Sequence, residues 1–156
     1  MKNKKGFTLV ELLAVIVVIS VVAAIGTLSL IGIKNKAADD TFNKLEKQIV
    51  DLGPEIYTHE ILLGDKEASQ GFYRKYKSGD DFYVELSELK DKGYISDIKS
   101  PYNGSDACDG YLLFKKNGKK YDYKAYLSCS DKKTSNYDEA LDDESIEEIT
   151  ISSIKD

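Results

Sequence analysis

A single carboxylate, Glu11, interrupts an apolar run of residues near the start of the chain. The run extends from Phe7 to Ile33, reads FTLVELLAVIVVISVVAAIGTLSLIGI, and has Glu11 as its one charged residue. A helix of this length extends about 40 Å, at about 1.5 Å per residue, which is enough to cross the roughly 30 Å apolar core of a bilayer. An ionisable residue in such a helix is costly to bury, so it indicates a function and a partner for the charge.

The charges before the apolar run predict its orientation. Three lysines precede it, Lys2, Lys4 and Lys5, and positive charge on this side places the N-terminus in the cytoplasm and the rest of the chain outside. Two alternatives stay open: an ordinary secretory signal cut after Gly26, where small residues suit cleavage, and a permanent single-span anchor. A secretory signal has no need of Glu11, and its apolar region rarely continues past the cut as this run does to Ile33.

The segment Lys4–Leu13, KKGFTLVELL, resembles the N-terminus of type IV prepilins and pseudopilins. The basic leader, the Gly6-Phe7 junction, the spacing to Glu11 and the uninterrupted apolar helix all agree with the family pattern. The resemblance implies that a prepilin peptidase removes leader residues 1–6 by cutting after Gly6, and then methylates the new terminal amine of Phe7. It also implies that Glu11 is the assembly residue of the processed subunit.

A physical role for Glu11 follows if the cut falls after Gly6. The carboxylate then lies about one helical turn from a new positive amine. In a bundle of parallel, staggered helices, the Glu11 carboxylate of one subunit can meet the terminal amine of a neighbour. A buried charge is tolerated when it is paired and strongly penalised when it is not, so Glu11 is predicted to set the register of the assembly.

One departure from the family concerns the middle of the helix. Many members have a proline at the position of Leu28, which is associated with local melting of the helix in the filament. This chain instead has Gly26 and Gly32, and each glycine costs about 1 kcal/mol relative to alanine inside a helix. Any melting is therefore expected between these glycines.

Beyond residue 33 the sequence predicts an extracellular α+β domain over residues 34–156, as in pilins, with a long helix packed on a small antiparallel sheet. An amphipathic extension over 34–52 continues the helix, with apolar residues at helical spacing, Ala38, Phe42, Leu45, Ile49 and Leu52. Gly53-Pro54 is the predicted end of this helix, with a kink at the same place as the alternative. The later string from Leu86 to Cys129 resembles globular domains of Gram-positive pilins more loosely.

The remaining elements are predicted from turn residues and periodicity. The predictions are a short helix at Pro54–Leu63, a loop at Asp65–Asp81, a helix at Tyr83–Lys92 closed by Gly93, strands at Tyr111–Lys116 and Tyr121–Leu127, and a last strand at Ile149–Ile154. Within the loop, the segment Phe72–Tyr76 is expected to pack on the core, with a contact patch as the alternative. Seven acids lie between Tyr137 and Glu148. They are interpreted as a solvated face, with a calcium loop as the alternative.

The two cysteines, Cys108 and Cys129, flank the predicted hairpin in the exported part, where a disulfide is chemically favoured. A hairpin loop over 117–120 places them directly opposite each other. A two-residue Asn117-Gly118 turn would shift Cys129 two residues out of register. The disulfide hypothesis therefore favours the longer loop, and a free thiol pair is the alternative.

Composition argues against other classes of function. The chain has 156 residues, a formal net charge of −5 and one histidine, His59, which is expected to be structural or solvent-exposed. Proteins bind nucleic acid largely through basic residues that neutralise phosphates, and this chain has a net negative charge, so no nucleic acid partner is expected. No catalytic constellation, cofactor motif or metal-ligand spacing is present, and an enzyme is not expected.

The predicted function is that of a pilin, a structural subunit of a type IV pilus-like surface filament that serves adhesion, surface motility or biofilm formation. The expected partners are prepilin peptidase, other pilin subunits, the cytoplasmic membrane before assembly, and the pilus assembly machinery. The alternatives are a pseudopilin of a type II secretion or DNA-uptake system, and a membrane-tethered binding protein that forms no polymer.

Overall fold

The computed structural model of the protein describes residues 8–62, 70–138, 141–143 and 145–151, with the backbone alone at residues 22–31 and 70. The chain divides into two compact units, Met1–Asp39 and Asp40–Asp156. Among the described residues, a long N-terminal helix is followed by two short helices and the four strands of one sheet. The predicted α+β fold class is confirmed.

Helix α1 (Leu9–Leu62) continues through Gly53-Pro54, where the sequence predicted its end. The predicted division into a helix over 7–52 and a second helix over 54–63 is therefore wrong. A proline inside a helix removes a hydrogen bond and costs about 3 kcal/mol. Ile56 is fully buried, and burial of one large apolar side chain contributes about 1.5–3 kcal/mol. Burial of Ile56 and its neighbours offsets the cost of the proline, so the helix continues.

The apolar stripe predicted beyond residue 33 is confirmed as the buried face of α1. Ala38, Phe42 and Ile49 are buried, and Leu45 and Leu52 are partly buried against the core. Their spacing of three or four residues places them on one side of the helix. Within the second unit, Phe42, Ile49 and the partly buried Leu45 and Leu52 form one wall of the core.

No helix among the described residues is both long enough and apolar enough to cross a membrane. The span predicted over residues 7–33 lies partly outside those residues and stays a prediction.

Helix α2 (Gln70–Ser78) occupies part of the segment that the sequence predicted to be a loop at Asp65–Asp81. Phe72 is fully buried and Tyr76 packs against the same core. Residues four apart share one face of a helix, so helix formation lets both aromatic rings face the core. The prediction that this segment packs on the core is confirmed for these two residues, while Tyr73 remains 48% exposed.

One sheet contains the four strands of the described residues, in the order β3-β2-β1-β4. They are β1 (Phe82–Glu85), β2 (Asp109–Asn117), β3 (Lys120–Ser128) and β4 (Glu147–Glu148). The pairs β1–β2 and β2–β3 are antiparallel, whereas β1 and β4 are parallel. The sheet is therefore mixed, rather than purely antiparallel as predicted.

The helix predicted at Tyr83–Lys92 is partly wrong, because its first residues belong to β1 and helix α3 covers only Leu86–Asp91. Residues of β1 alternate between buried and half-buried, the pattern of a strand with one face on a core. The segment is a strand because it pairs with β2. Four residues are too few for the alternation of a strand to be recognised in the sequence. Gly93, with φ +88°, follows α3 in the left-handed conformation that ends helices.

The hairpin of β2 and β3 has the register in which Lys116 lies opposite Tyr121. Its loop is only two residues long, Gly118-Lys119, and is shorter than the predicted loop over 117–120. This register continues to the far end of the hairpin, where Cys108 and Cys129 form a disulfide with their Cα atoms 4.3 Å apart.

The last strand differs from the prediction at Ile149–Ile154. Strand β4 lies just before it, and Glu147 and Glu148 pair with Phe82 and Tyr83. Strand pairing ends at Glu148. The next residues include Ile149 and Ile151, whose side chains are buried in the core. Residues 152–154 lie outside the described part of the chain.

Aromatic rings fill the core between the helices and the sheet. Phe114 stacks on Phe82 with ring centroids 4.6 Å apart, and contacts Phe72 and Tyr123 edge-on at 5.6 and 5.3 Å. The opposite face of the sheet has a smaller cluster, formed by Tyr111, Leu113 and Tyr126 with Tyr137 packed against it. Both faces of the sheet are therefore covered in part, and the larger core lies on the side of α1.

We expect substitution of Gly53 by alanine to destabilise the second unit by up to about 2 kcal/mol. A Cβ atom at Gly53 would lie 2.3 Å from Cδ1 of Tyr123, near the base of the ring, and overpacking costs about 1–3 kcal/mol against the roughly 1 kcal/mol that alanine gains in a helix. Urea unfolding of the full chain in non-ionic micelles measures the loss. In a Tyr123→Ala background the same substitution should cost nothing, and an equal cost in both backgrounds would contradict the close contact.

Replacement of both cysteines by serine should lower the free energy of unfolding by about 3 kcal/mol. The disulfide closes a loop with a sequence separation of 21 residues, and a cross-link of this length restricts the unfolded chain by about that amount. Urea unfolding of wild type and of Cys108→Ser/Cys129→Ser measures the difference. Chemical reduction of the wild type is the control and should give the same loss; an unchanged unfolding midpoint would contradict the prediction.

Candidate functional site

Glu11 lies at the start of α1, where it forms a reciprocal cap with Thr8. The amide of Thr8 donates to Oε2 of Glu11 at 2.9 Å, and the amide of Glu11 donates to Oγ1 of Thr8 at 3.2 Å. The hydroxyl of Thr8 also donates to the same carboxylate oxygen at 2.9 Å. These contacts satisfy backbone donors that the first turn of a helix otherwise leaves without partners.

Sequence reasoning missed Thr8. The signal was present, because Thr8-Leu9-Val10-Glu11 has the spacing of a capping box, in which Ser or Thr precedes Glu or Gln by three residues. The sequence prediction gave Glu11 a role in assembly and none in capping the helix. In the structure one oxygen of Glu11, Oε2, performs the capping. The other, Oε1, has no hydrogen bond to any described residue.

The helix surface around Glu11 is apolar and exposed. The large apolar side chains between Leu9 and Val21 are 47–80% exposed. Ser20 adds no free hydroxyl, because its Oγ donates to the carbonyl of Ile16 at 2.7 Å. Apolar surface of this extent requires an apolar environment, such as lipid or other helices. Glu11 is therefore the one charge on a surface that is suited to burial.

The other predicted site residues divide into two groups. The leader lysines and the cleavage junction lie outside the described residues, namely Lys2, Lys4, Lys5, Gly6 and Phe7. Cys108 and Cys129 lie in the second unit, joined to each other. The structure therefore describes Glu11 and Thr8 from the N-terminal site, and the cysteines form a separate, structural feature.

The single histidine connects two elements of the second unit. The hydroxyl of Tyr94, after α3, forms a hydrogen bond with Nδ1 of His59 at 2.9 Å, and the same nitrogen lies 3.3 Å from Oε1 of Glu60. The rings of Tyr94 and His59 meet edge-on with centroids 6.0 Å apart. Burial raises the pKa of Tyr94 to about 12, and the nearby Glu60 and Glu55 carboxylates add to this shift. The phenol therefore stays protonated at neutral pH. His59 is half-buried in this contact and has the structural role rather than the solvent-exposed one.

Two described carboxylates of the acidic segment near the C-terminus, those of Asp143 and Glu147, have partners in the second unit. Glu147 pairs with Arg74 at 3.0 Å and with Lys75 at 3.3 Å. Asp143 accepts a hydrogen bond from the amide of Ser145 at 2.9 Å, and its hydrogen bonds with Ser145 lower the pKa of its carboxyl group. Within the described ranges, no three His, Cys, Asp or Glu side chains are grouped in a way that could hold a metal ion.

Comparison with known proteins supplies the assignment of the N-terminus. Residues 1–27 match the family model described as the prokaryotic N-terminal methylation motif. No curated protein and no solved structure matches the chain. The match includes Gly6, Phe7, Thr8 and Glu11, and it ends before the second unit. The resemblance of the string from Leu86 to Cys129 to pilin globular domains stays a prediction. At residues 1–27, therefore, the chain has the signal motif of type IV prepilin-like precursors.

Proposed function

We propose that the protein is a structural subunit of a type IV pilus-like surface filament, cut between Gly6 and Phe7 and assembled through its N-terminal helix. The observation that supports this most is the methylation motif over residues 1–27. It coincides with a helix start at which Glu11 is the one charge on an exposed apolar surface. The motif supports a precursor of the pilin or pseudopilin type. Polymerisation of the processed subunit into a filament is our proposal.

The exposed apolar surface of α1 supports assembly by helix packing. In a lone subunit it would be covered by lipid, and in a filament by helices of other subunits. Glu11 has one oxygen engaged in the cap with Thr8 and a second oxygen available to a neighbour. We infer that the methylated amine of Phe7 on a neighbouring subunit meets Oε1, because a buried carboxylate requires a charged partner. Staggered pairing of this kind would set the axial register.

The proposed pathway begins in the cytoplasmic membrane. Lys2, Lys4 and Lys5 would hold the N-terminus on the cytoplasmic side, where prepilin peptidase removes residues 1–6. The assembly machinery would then transfer the processed subunit from lipid to the growing filament. We assign the finished fibre to adhesion, surface motility or biofilm formation, the roles that the resemblance implies.

A substitution at the junction tests this proposal. Gly6→Val should block cleavage, because a branched side chain would replace the glycine of the matched motif, and the leader-bearing chain should remain in the membrane fraction. The expected result is a reduction of at least about tenfold in antibody-labelled filaments sheared from the cell surface.

The matched control for the junction is Asn3→Ala, which changes the same leader and leaves Gly6-Phe7 in place. It should give filaments at the wild-type level. If Gly6→Val cells also produced filaments at that level, or if wild-type cells with the complete machinery produced none, the proposed function would be overturned.

A further inference from the structure

The sheet of the second unit has one long outer edge, formed by β3. Among the described strands, β3 pairs only with β2, which makes it the outermost strand on its side of the sheet. The strand at the opposite edge, β4, has only two residues. An outer strand presents a row of backbone N–H and C=O groups that can pair with another strand. Of the two edges, β3 therefore has the greater capacity for pairing.

A contact near the end of β3 shows which of its backbone groups point away from the sheet. The amide of Thr134 donates to the carbonyl of Leu127 at 2.8 Å, and the amide of Leu127 donates to Oγ1 of Thr134 at 2.8 Å. Both backbone groups of Leu127 therefore face outward. This orientation alternates along a strand of an antiparallel pair, so the groups of Tyr121, Tyr123 and Ala125 face outward as well.

The outward groups of residues 120–126 form an edge that we call the open edge. Within the described part of the chain, no residue forms a hydrogen bond with the outward N–H or C=O groups of Tyr121, Tyr123 or Ala125. At one end the edge is covered at Leu127, and at the other end the strand begins at residue 120. Tyr123 is therefore the midpoint of the open edge.

A cleft beside the open edge gives another strand access to it. The cleft lies between α1 and β3, has a volume of about 450 Å³, and is lined by Lys47 and Val50 of the helix and by Tyr123 and Ala125 of the strand, among others. On the other face of the strand, Asp122 and Lys124 are exposed. The helix therefore leaves the edge accessible from the side.

The charges of the open edge favour a second copy of the same strand as its partner. If two copies of β3 pair antiparallel about Tyr123, Asp122 of each copy lies directly opposite Lys124 of the other. Centring the pair on Asp122 or on Lys124 instead sets that residue opposite itself. Opposite charges directly across two strands are favourable, and like charges are unfavourable. The charges therefore select the register in which the midpoints of the two open edges coincide.

We propose that a second copy of this chain binds along the open edge, so that the two sheets continue into one through antiparallel pairing centred on Tyr123. Three residues of each copy take part through their outward groups and form about six hydrogen bonds, since each hydrogen-bonded antiparallel pair exchanges two. The contact is isologous, because both copies use the same surface. It differs from the staggered contacts between parallel helices that we propose for the filament, and it requires neither Glu11 nor cleavage.

Reversal of the two charges in separate chains tests the proposal. Energy transfer between donor-labelled and acceptor-labelled full chains, in an excess of non-ionic micelles, should detect association of the wild type at concentrations up to about 1 mM, the weak end of the affinity scale. Asp122→Lys sets lysine opposite lysine in both cross-strand pairs, and Lys124→Asp sets aspartate opposite aspartate. Each variant alone should associate at least about fivefold more weakly than the wild type, because cross-strand charge pairs change from favourable to unfavourable.

An equimolar mixture of the two variants restores a lysine opposite an aspartate in both pairs. The mixture should associate as the wild type does, within about twofold, and this recovery would also show that both variants are folded. Lys44→Asp and Asp51→Lys are the matched controls, since they make the same charge changes on exposed residues of α1 that do not line the cleft. Each control should associate as the wild type does.

Absence of wild-type association at the highest concentration would overturn the proposal. So would single variants that associate as well as the wild type, or a mixture that associates no better than its components, because the contact between copies would then lie on another surface. Equal losses in the controls would have the same meaning. The assay requires no filament, so its failure would leave the proposed filament function untouched.

Discussion

Subunits with Glu11 replaced by glutamine should fail to assemble, although their helix should start normally. Glutamine can retain the reciprocal cap with Thr8, because a capping box accepts Glu or Gln at its third helical position. What it removes is the negative charge that we propose to pair with the Phe7 amine of a neighbour. We expect surface filaments to fall by at least tenfold, equivalent to about 1.4 kcal/mol, measured in sheared fractions by immunoblot and electron microscopy.

Thr8→Ala separates the two roles of Glu11. This variant loses the hydroxyl that accepts from the Glu11 amide and donates to its carboxylate, but it keeps the charge. Filaments should persist in Thr8→Ala and be lost in Glu11→Gln. The opposite pattern, with assembly retained in Glu11→Gln and lost in Thr8→Ala, would mean that Glu11 serves only to cap the helix. A membrane-fraction immunoblot checks that both subunits accumulate equally.

Truncation of Phe114 to alanine should lower the free energy of unfolding of the second unit by about 4 kcal/mol. Phe114 is fully buried and stacks on Phe82 at 4.6 Å. It also lies at the point where α2 and the hairpin meet, in contact with Phe72 and Tyr121. Loss of a buried phenylalanine typically costs about 3–5 kcal/mol, since both the apolar transfer energy and the cavity contribute. Urea unfolding of the full chain in micelles measures the change.

Phe114→Leu is the graded control, because it keeps an apolar side chain and leaves a smaller cavity. It should cost about 1–2 kcal/mol. If Phe114→Ala cost no more than Phe114→Leu, the aromatic cluster would not be the centre of the core. A loss near 4 kcal/mol would support it, provided that circular dichroism in the same micelles without urea shows unchanged secondary structure.

Local and covalent signals made part of this protein predictable from its sequence. The spacing from Gly6-Phe7 to Glu11 is read directly along the chain and needs no tertiary structure. The stripe of Phe42, Ile49 and their neighbours repeats at the period of a helix. The hairpin register could be reasoned from two cysteines that had to lie opposite each other. Only the length of the loop was wrong, because Gly118 and not Asn117 begins the turn.

The elements that could not be predicted depend on contacts distant in sequence. Pro54 predicts the end of a helix by local rules, but the helix continues because Ile56 is buried in the core. The FYVE segment of β1 is a strand because it pairs with β2, and α2 is helical where Phe72 meets Phe82 and Phe114. The Thr8-Glu11 cap could have been predicted, because the three-residue spacing of a capping box is visible in the sequence.

The intact mass and the N-terminal fragment of the protein recovered from the cell surface test the central claim most directly. The account predicts a chain that begins at Phe7 with a methylated amine, because residues 1–27 match the methylation motif and the cut is expected after Gly6. A mature chain that begins at Met1, or at Thr27 after ordinary signal cleavage, would contradict it. Glu11 would then have no assembly role, and the protein would be a tethered or secreted binding protein.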